Sequence, residues 1–205
     1  MLEATKLGCI RGARRLFRDL SFSLAPGTCM QVTGPNGCGK TSLLRIICGL
    51  LAPEEGTVTW QGASIYSMGE EYAQRLTYIG HRSGVKEDLT SVENLRVANG
   101  LAGFELTTSD ARQALAHFGL SGREDLPSRF LSEGQRRRSA LARLLTNESS
   151  LWVLDEVLAS LDTAAIKIIE GLIEGHLTKG GMAIVATHQE LRISAGSFQR
   201  LELAS

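Results

Sequence analysis

The stretch Gly34-Pro35-Asn36-Gly37-Cys38-Gly39-Lys40-Thr41 constrains the fold of this chain more than any other, because it matches G-x-x-x-x-G-K-[ST] between segments of different periodicity. Thr28 to Thr33 alternates as a strand does, and from Lys40 onward Leu43, Leu44, Ile47 and Leu50 recur at helical spacing. Strand, glycine loop and helix in that order read as the start of an α/β domain. The glycines let backbone N–H groups close around phosphate oxygens, and the new helix turns its positive end toward the same charge. Gly34, Pro35, Asn36, Gly37, Cys38, Gly39, Lys40, Thr41 and Ser42 are therefore predicted to bind a nucleotide. Lys40 is expected to reach the β and γ phosphates, and Thr41 to place its hydroxyl on Mg²⁺. Kinases, GTPases, motors and transport ATPases all share such a loop, so other residues must decide among them.

Composition narrows the partners. A chain of 205 residues suits a single domain. Lys plus Arg equals Asp plus Glu at 22 each, so no overall basic field recruits nucleic acid. The apolar run Leu43 to Ala52 is interrupted by Arg45 and is about half the roughly 20 residues of a bilayer span. No secretory signal is expected at Met1 to Lys6. Cys9, Cys29, Cys38 and Cys48 lack C-x-x-C spacing, which argues against a zinc site or a disulfide framework.

Leu20–Leu24 and Gly56–Trp60 read as short strands of an antiparallel flank. Residues 91–147 turn helical, with Ala111, Ala114, Leu115 and Phe118 on one face and Ala140, Leu141, Leu144 and Leu145 on another. Leu151–Leu154 and Met182–Ala186 are continuous apolar runs typical of buried parallel strands, joined by a crossover helix bearing Ile166, Ile169, Leu172 and Ile173. The expected fold class is α/β, a phosphate-loop sheet with an antiparallel β flank and an inserted helical subdomain. It forms one domain over 1–205, with a core lobe of about 1–81 and 148–205 and a helical subdomain of about 82–147.

The strand ending in Asp155-Glu156 delivers two carboxylates to the carboxyl edge of a parallel sheet, where ligands of such sheets bind. Asp155 suits Mg²⁺, and Glu156 suits a general base for an attacking water. Ser132 and Gln135 have capping-box spacing, so Ser132 is predicted to start a helix running to about Asn147. Arg136, Arg137 and Arg138 crowd its first turns, where the helix dipole disfavours positive charge. An incoming phosphate is expected to relieve that conflict.

With these motifs in view, the chain resembles the ATP-binding cassette family over essentially its whole length. Gly34 to Thr41, Leu131-Ser132-Glu133-Gly134-Gln135, Asp155-Glu156, Ser160-Leu161-Asp162 and His188 follow that family's order and approximate spacing, with Glu133 in place of a glycine. The resemblance implies ATP hydrolysis with Mg²⁺ in a head-to-tail homodimer. Ser132, Gly134 and Gln135 of one subunit would receive ATP bound at the other's loop, and His188 would contact the γ-phosphate beside Glu156. His81 stands where the family carries a glutamine linking metal and water to the membrane partner, and imidazole can also ligate a metal or hold water. No Tyr or Phe lies among Cys9, Ile10 and Arg11, where the family offers adenine an aromatic ring, and Val157 replaces a common proline.

Length, the Tyr78-Ile79-Gly80-His81 segment and the Leu151–Glu156 strand look most like the family's haem-exporting branch for c-type cytochrome maturation. That implies a peripheral protein on the cytoplasmic face of the inner membrane, bound to integral membrane subunits and concerned with haem only indirectly. The ATPase of another transporter and a soluble non-transport ATPase of the same family remain alternatives, as does a small-molecule kinase, which would have no need of the Leu131–Gln135 helix.

Overall fold

A computed structural model describes residues 1–159 and 161–204; Ser160, from the Ser160-Leu161-Asp162 motif, and Ser205 lie outside the described residues. Two sheets organise the chain. Strands β1 (Leu2–Arg11), β2 (Arg14–Leu24), β4 (Glu55–Trp60) and β5 (Ala63–Ser64) form an antiparallel sheet in the order β2-β1-β4-β5. The second sheet is parallel throughout. It contains β3 (Thr28–Thr33), β6 (Leu76–Ile79), β7 (Leu151–Asp155), β8 (Met182–Ala186) and β9 (Ser197–Glu202) in the order β6-β7-β8-β3-β9.

Every residue of β7 and β8 is buried, as their unbroken apolar runs require of strands covered on both faces. Alternate side chains enter different cores. On one face Val32, Val153 and Ile184 meet Leu43, Ile46 and Ile47 of α1 (Lys40–Ile47), together with Leu2, Val58 and Trp60 of the antiparallel sheet. On the other face Trp152, Leu154 and Val185 meet Ile169 and Ile173 of α7 (Thr163–Thr178). Leu95 of α4 (Ser91–Leu101), Leu115 of α5 (Thr108–His117) and Leu141 of α6 (Glu133–Leu141) join that second core, so the helical insertion packs on the sheet. Two short helices, α2 (Ile65–Met68) and α3 (Glu70–Arg75), lead into β6.

Because β3, β7 and β8 run parallel, the loops after all three open at one sheet edge. This places Gly34–Thr41, Glu156 and His188 side by side despite their separation in sequence.

Several expectations need correction. The helix after the glycine loop stops at Ile47; Gly49 adopts φ 71° and the N–H of Leu50 returns to the Arg45 carbonyl, leaving Leu50 65% exposed instead of on the apolar face. The flank strand foreseen at Leu20–Leu24 extends back to Arg14, because it zips along β1, a strand the sequence pattern did not reveal. Strand β9 was also not foreseen, since its exposed edge leaves most of its residues without an apolar signature. Helix α6 ends at Leu141 and tightens into a 3₁₀ turn over Ala142–Leu145, short of Asn147.

Candidate active site

The glycine loop is shaped by close approach. Gly34 has φ 142°, and a Cβ there would stand 2.5 Å from the Leu203 carbonyl oxygen and 2.8 Å from Cys38 Sγ. Gly39 is the N-cap of α1 at φ 109°; no side chain caps that helix and no acid occupies its first turn. Its leading N–H groups are therefore unclaimed by side chains, which suits an anion.

Lys40 is 6% exposed, and its Nζ donates to the carbonyls of Gly34 at 2.9 Å and Pro35 at 3.3 Å. The same ammonium lies 3.2 Å from His188 Nε2 and 3.8 Å from Glu156 Oε1. His188 Nε2 also lies 3.1 Å from Asn36 Oδ1 and 3.6 Å from Glu156 Oε1. Three loops from three strands thus converge on one polar cluster. Glu156 is held there in the left-handed region at φ 52°, a conformation costly for a residue with a Cβ, while its N–H donates to the Ala186 carbonyl at 2.9 Å.

Beside the cluster, Asp155 is fully buried. Its Oδ1 accepts from Thr41 Oγ1 at 3.2 Å and its Oδ2 from the Tyr78 hydroxyl at 3.4 Å. Burial raises its pKa above the usual carboxylate range; the Thr41 hydrogen bond opposes that rise and the neighbouring Glu156 charge adds to it. A buried carboxylate beside a hydroxyl is a hard-oxygen set that fits Mg²⁺, which uses few protein ligands and completes its shell with phosphate oxygens and water. Among the described residues no three His, Cys, Asp or Glu side chains cluster as a metal cage. His81 shares a cleft of about 450 Å³ with Thr41, Tyr78 and Asp155, and it acts electrostatically on Asp155. A larger cavity of about 520 Å³ lies at the opposite, amino end of the sheet beside Ser150, Trp152 and Gly175, and contains none of these groups.

Ser132, Gly134 and Gln135 sit elsewhere, at the start of α6. Ser132 Oγ accepts from the Gln135 N–H at 3.3 Å, and Gln135 Oε1 accepts from the Ser132 N–H at 3.0 Å, the reciprocal box the spacing predicts. This leaves the Ser132 hydroxyl proton free to donate outward. Two of the three arginines behind them, Arg137 and Arg138, have partners within the chain instead of awaiting a phosphate. Arg137, only 6% exposed, donates to the Gly80 carbonyl at 2.9 Å, and Arg138 pairs with Asp162 at 2.6 Å. Asp162 also caps α7 through the Ala165 N–H at 2.8 Å, so these two charges are met by acceptors distant in sequence.

Two residues near the site escaped sequence reasoning. Arg14 Nη1 comes within 3.8 Å of where a Gly37 Cβ would stand, and Phe17 ring carbons within 3.2 Å of one on Gly39. The signal for both is the hairpin that pairs Arg11 with Arg14, because its second strand carries Arg14 and Phe17. Tyr78 was noted for its segment and not for its hydroxyl.

The ABC transporter family profile matches residues 17–159. The chain is 54% identical over 202 residues to the cytochrome c biogenesis ATP-binding export protein CcmA of Nitrosospira multiformis, covering 98% of each chain. It is 53% identical over 204 residues to the protein of that name from Nitrosomonas europaea, covering 100% of this chain and 96% of the relative. An ATP-binding cassette solved as a dimer in a post-hydrolysis state, with ADP and phosphate bound, shares the fold with a TM-score of 0.79 at 21% identity, over 92% of this chain and 88% of its own.

Proposed function

The chain belongs to the ABC transporter family of ATPases, and we propose that it works as a homodimer whose ATP hydrolysis drives haem export for c-type cytochrome maturation through integral membrane partners. The observation that carries the enzymatic part is the convergence of Lys40, Glu156 and His188 within 3.2–3.8 Å at the uncapped start of α1. ATP phosphates are bound by the backbone of Gly34–Gly39, by Lys40 and by Ser42. Glu156 takes a proton from water as its oxygen attacks the γ-phosphorus, the bond to the β-γ bridging oxygen breaks, and ADP leaves. His188 holds the attacking water and the γ-phosphate. Thr41 and Asp155 hold Mg²⁺, with His81 near it, and the ion neutralises charge on the β and γ phosphates when bound.

The dimer follows from placement. Ser132, Gly134 and Gln135 lie at the start of α6, where the Ser132 and Gln135 side chains bond each other's backbone and not their own glycine loop. A second copy brings them to that loop's ATP, an arrangement supported by the related cassette captured as a dimer with ADP and phosphate. Among the described residues no helix is long and apolar enough to cross a membrane, so the translocation path belongs to other subunits. The protein then sits peripherally on the cytoplasmic face of the inner membrane, with residues of about 82–147 as the arm that moves against the core lobe. The loop from His81 to Ser83 joins arm and core and is the coupling surface. Haem itself contacts the membrane subunits.

Glu156→Gln tests this reading. Removing the base should lower turnover by about 10²–10⁴-fold and leave an ATP-dependent dimer resolvable by size-exclusion chromatography. Persistent monomer at saturating MgATP with undiminished turnover would refute the shared site. Purification from membranes should recover integral subunits that bind haem; recovery with a transporter for another cargo would refute the haem assignment alone.

A further inference from the structure

We propose that Tyr78 is a positioning residue for the metal carboxylate, its hydroxyl fixing the rotation of Asp155; this rests on the reading of Asp155 and Thr41 as the protein oxygens that hold Mg²⁺. Strand β6 pairs in parallel with β7, setting Tyr78 opposite Val153, two residues before Asp155 on the same face. The ring leans along that face, so its hydroxyl reaches Asp155 Oδ2 at 3.4 Å while Thr41 Oγ1 holds Oδ1 at 3.2 Å. One donor on each oxygen defines the plane of the carboxylate before any ion arrives.

The direction of the phenolic proton follows from its partner. A carboxylate oxygen accepts, so the Tyr78 hydroxyl donates to Asp155 Oδ2. Room for the ring comes from Gly80, where a Cβ would stand 2.9 Å from the Tyr78 hydroxyl oxygen and 3.1 Å from Cζ. The backbone of this segment is in turn gripped by Arg137 at the Gly80 carbonyl, 2.9 Å away. Tyr78 thus ties the metal carboxylate to α6, whose first turn carries Ser132 to Gln135 of the dimer face.

The test measures Mn²⁺ affinity by electron paramagnetic resonance in the presence of ADP, beside ADP affinity in excess EDTA and thermal melting. Tyr78→Phe keeps the ring and loses the donor. It should weaken Mn²⁺ binding by about tenfold, as loss of an outer-sphere partner does, with metal-free ADP affinity unchanged. Gly80→Ala should weaken Mn²⁺ in the same direction by displacing the ring. Equal Mn²⁺ affinity in wild type and Tyr78→Phe, or a lowered melting temperature with no change in Mn²⁺ affinity, would overturn the inference. Wild-type Mn²⁺ binding that survives Asp155→Ala would instead overturn the metal reading beneath it.

Discussion

Gly34→Ala provides a sharp test of how the phosphate loop is built. The native φ of 142° disfavours any side chain, at a cost of about 1–3 kcal/mol. The added methyl would also stand 2.5 Å from the Leu203 carbonyl oxygen, which cannot simply retreat because the Leu203 N–H donates to Thr33 at 2.9 Å. Overpacking of this kind adds about 1–3 kcal/mol, and weakening the Leu203–Thr33 bond about 1 kcal/mol more. The sum is about 3–7 kcal/mol. At about 2–4 °C per kcal/mol for a domain of this size, the melting temperature should fall by roughly 6–28 °C. Gly62→Ala is the matched control, because Gly62 also has positive φ, at 86°, yet a Cβ there meets nothing within 4 Å. It should lose only about 1–2 kcal/mol, or about 2–8 °C. Melts followed by circular dichroism, with fluorescent-ATP titrations well below both midpoints, give the two readouts. Gly34→Ala should weaken ATP binding, since the Gly34 carbonyl that accepts from Lys40 must move, whereas Gly62→Ala should not. If the two variants melt within 1 °C of each other, the close approach of Leu203 to the loop does not constrain it and the reasoning fails.

Two further outcomes follow from buried charge. Arg137→Met keeps much of the side-chain volume but strips the Gly80 carbonyl of its donor; a loss of about 1.5–3 kcal/mol, or about 3–12 °C, is expected, and an unchanged melt would show the contact to be idle. Asp155→Asn should raise the melting temperature of the metal-free protein by a few degrees, because burial lifts the native pKa of Asp155 and its charged form therefore opposes folding. The sign gives a pH signature. Both states are protonated below the ordinary Asp pKa of about 3.9, so the advantage of the variant should be small there, widen as pH rises through the elevated native pKa, and level off above it. Melts from pH 4 to 8 that show a constant or narrowing gap would contradict this.

Some of this architecture could be read directly because its cause is local. The strand before Gly34, the helix after it, the buried runs at Leu151–Asp155 and Met182–Ala186, and the Ser132–Gln135 box all depend on periodicity or capping within a few residues. Strand β1 and strand β9 were missed for the opposite reason, since a strand at a sheet edge, or with irregular register such as the shifts along β1, is defined by its neighbours more than by its own pattern. The arginines of α6 misled in the same way. For Arg137 and Arg138 the helix-dipole conflict is real in isolation, and its resolution lies at Gly80 and Asp162.

By itself the sequence determined the local motifs: the glycine loop with Lys40 and Thr41, the carboxylates at the end of an apolar strand, and the capping box that starts a helix at Ser132. Each is a short-range consequence of residue type and spacing. Tertiary structure alone decided which groups meet. The parallel order of β7, β8 and β3 brings Glu156, His188 and Lys40 together across more than a hundred residues. The pairing of β6 with β7 turns a strand tyrosine into a partner of Asp155. Contacts between residues far apart in the chain depend on strand order and register, and neither quantity is encoded within any one segment.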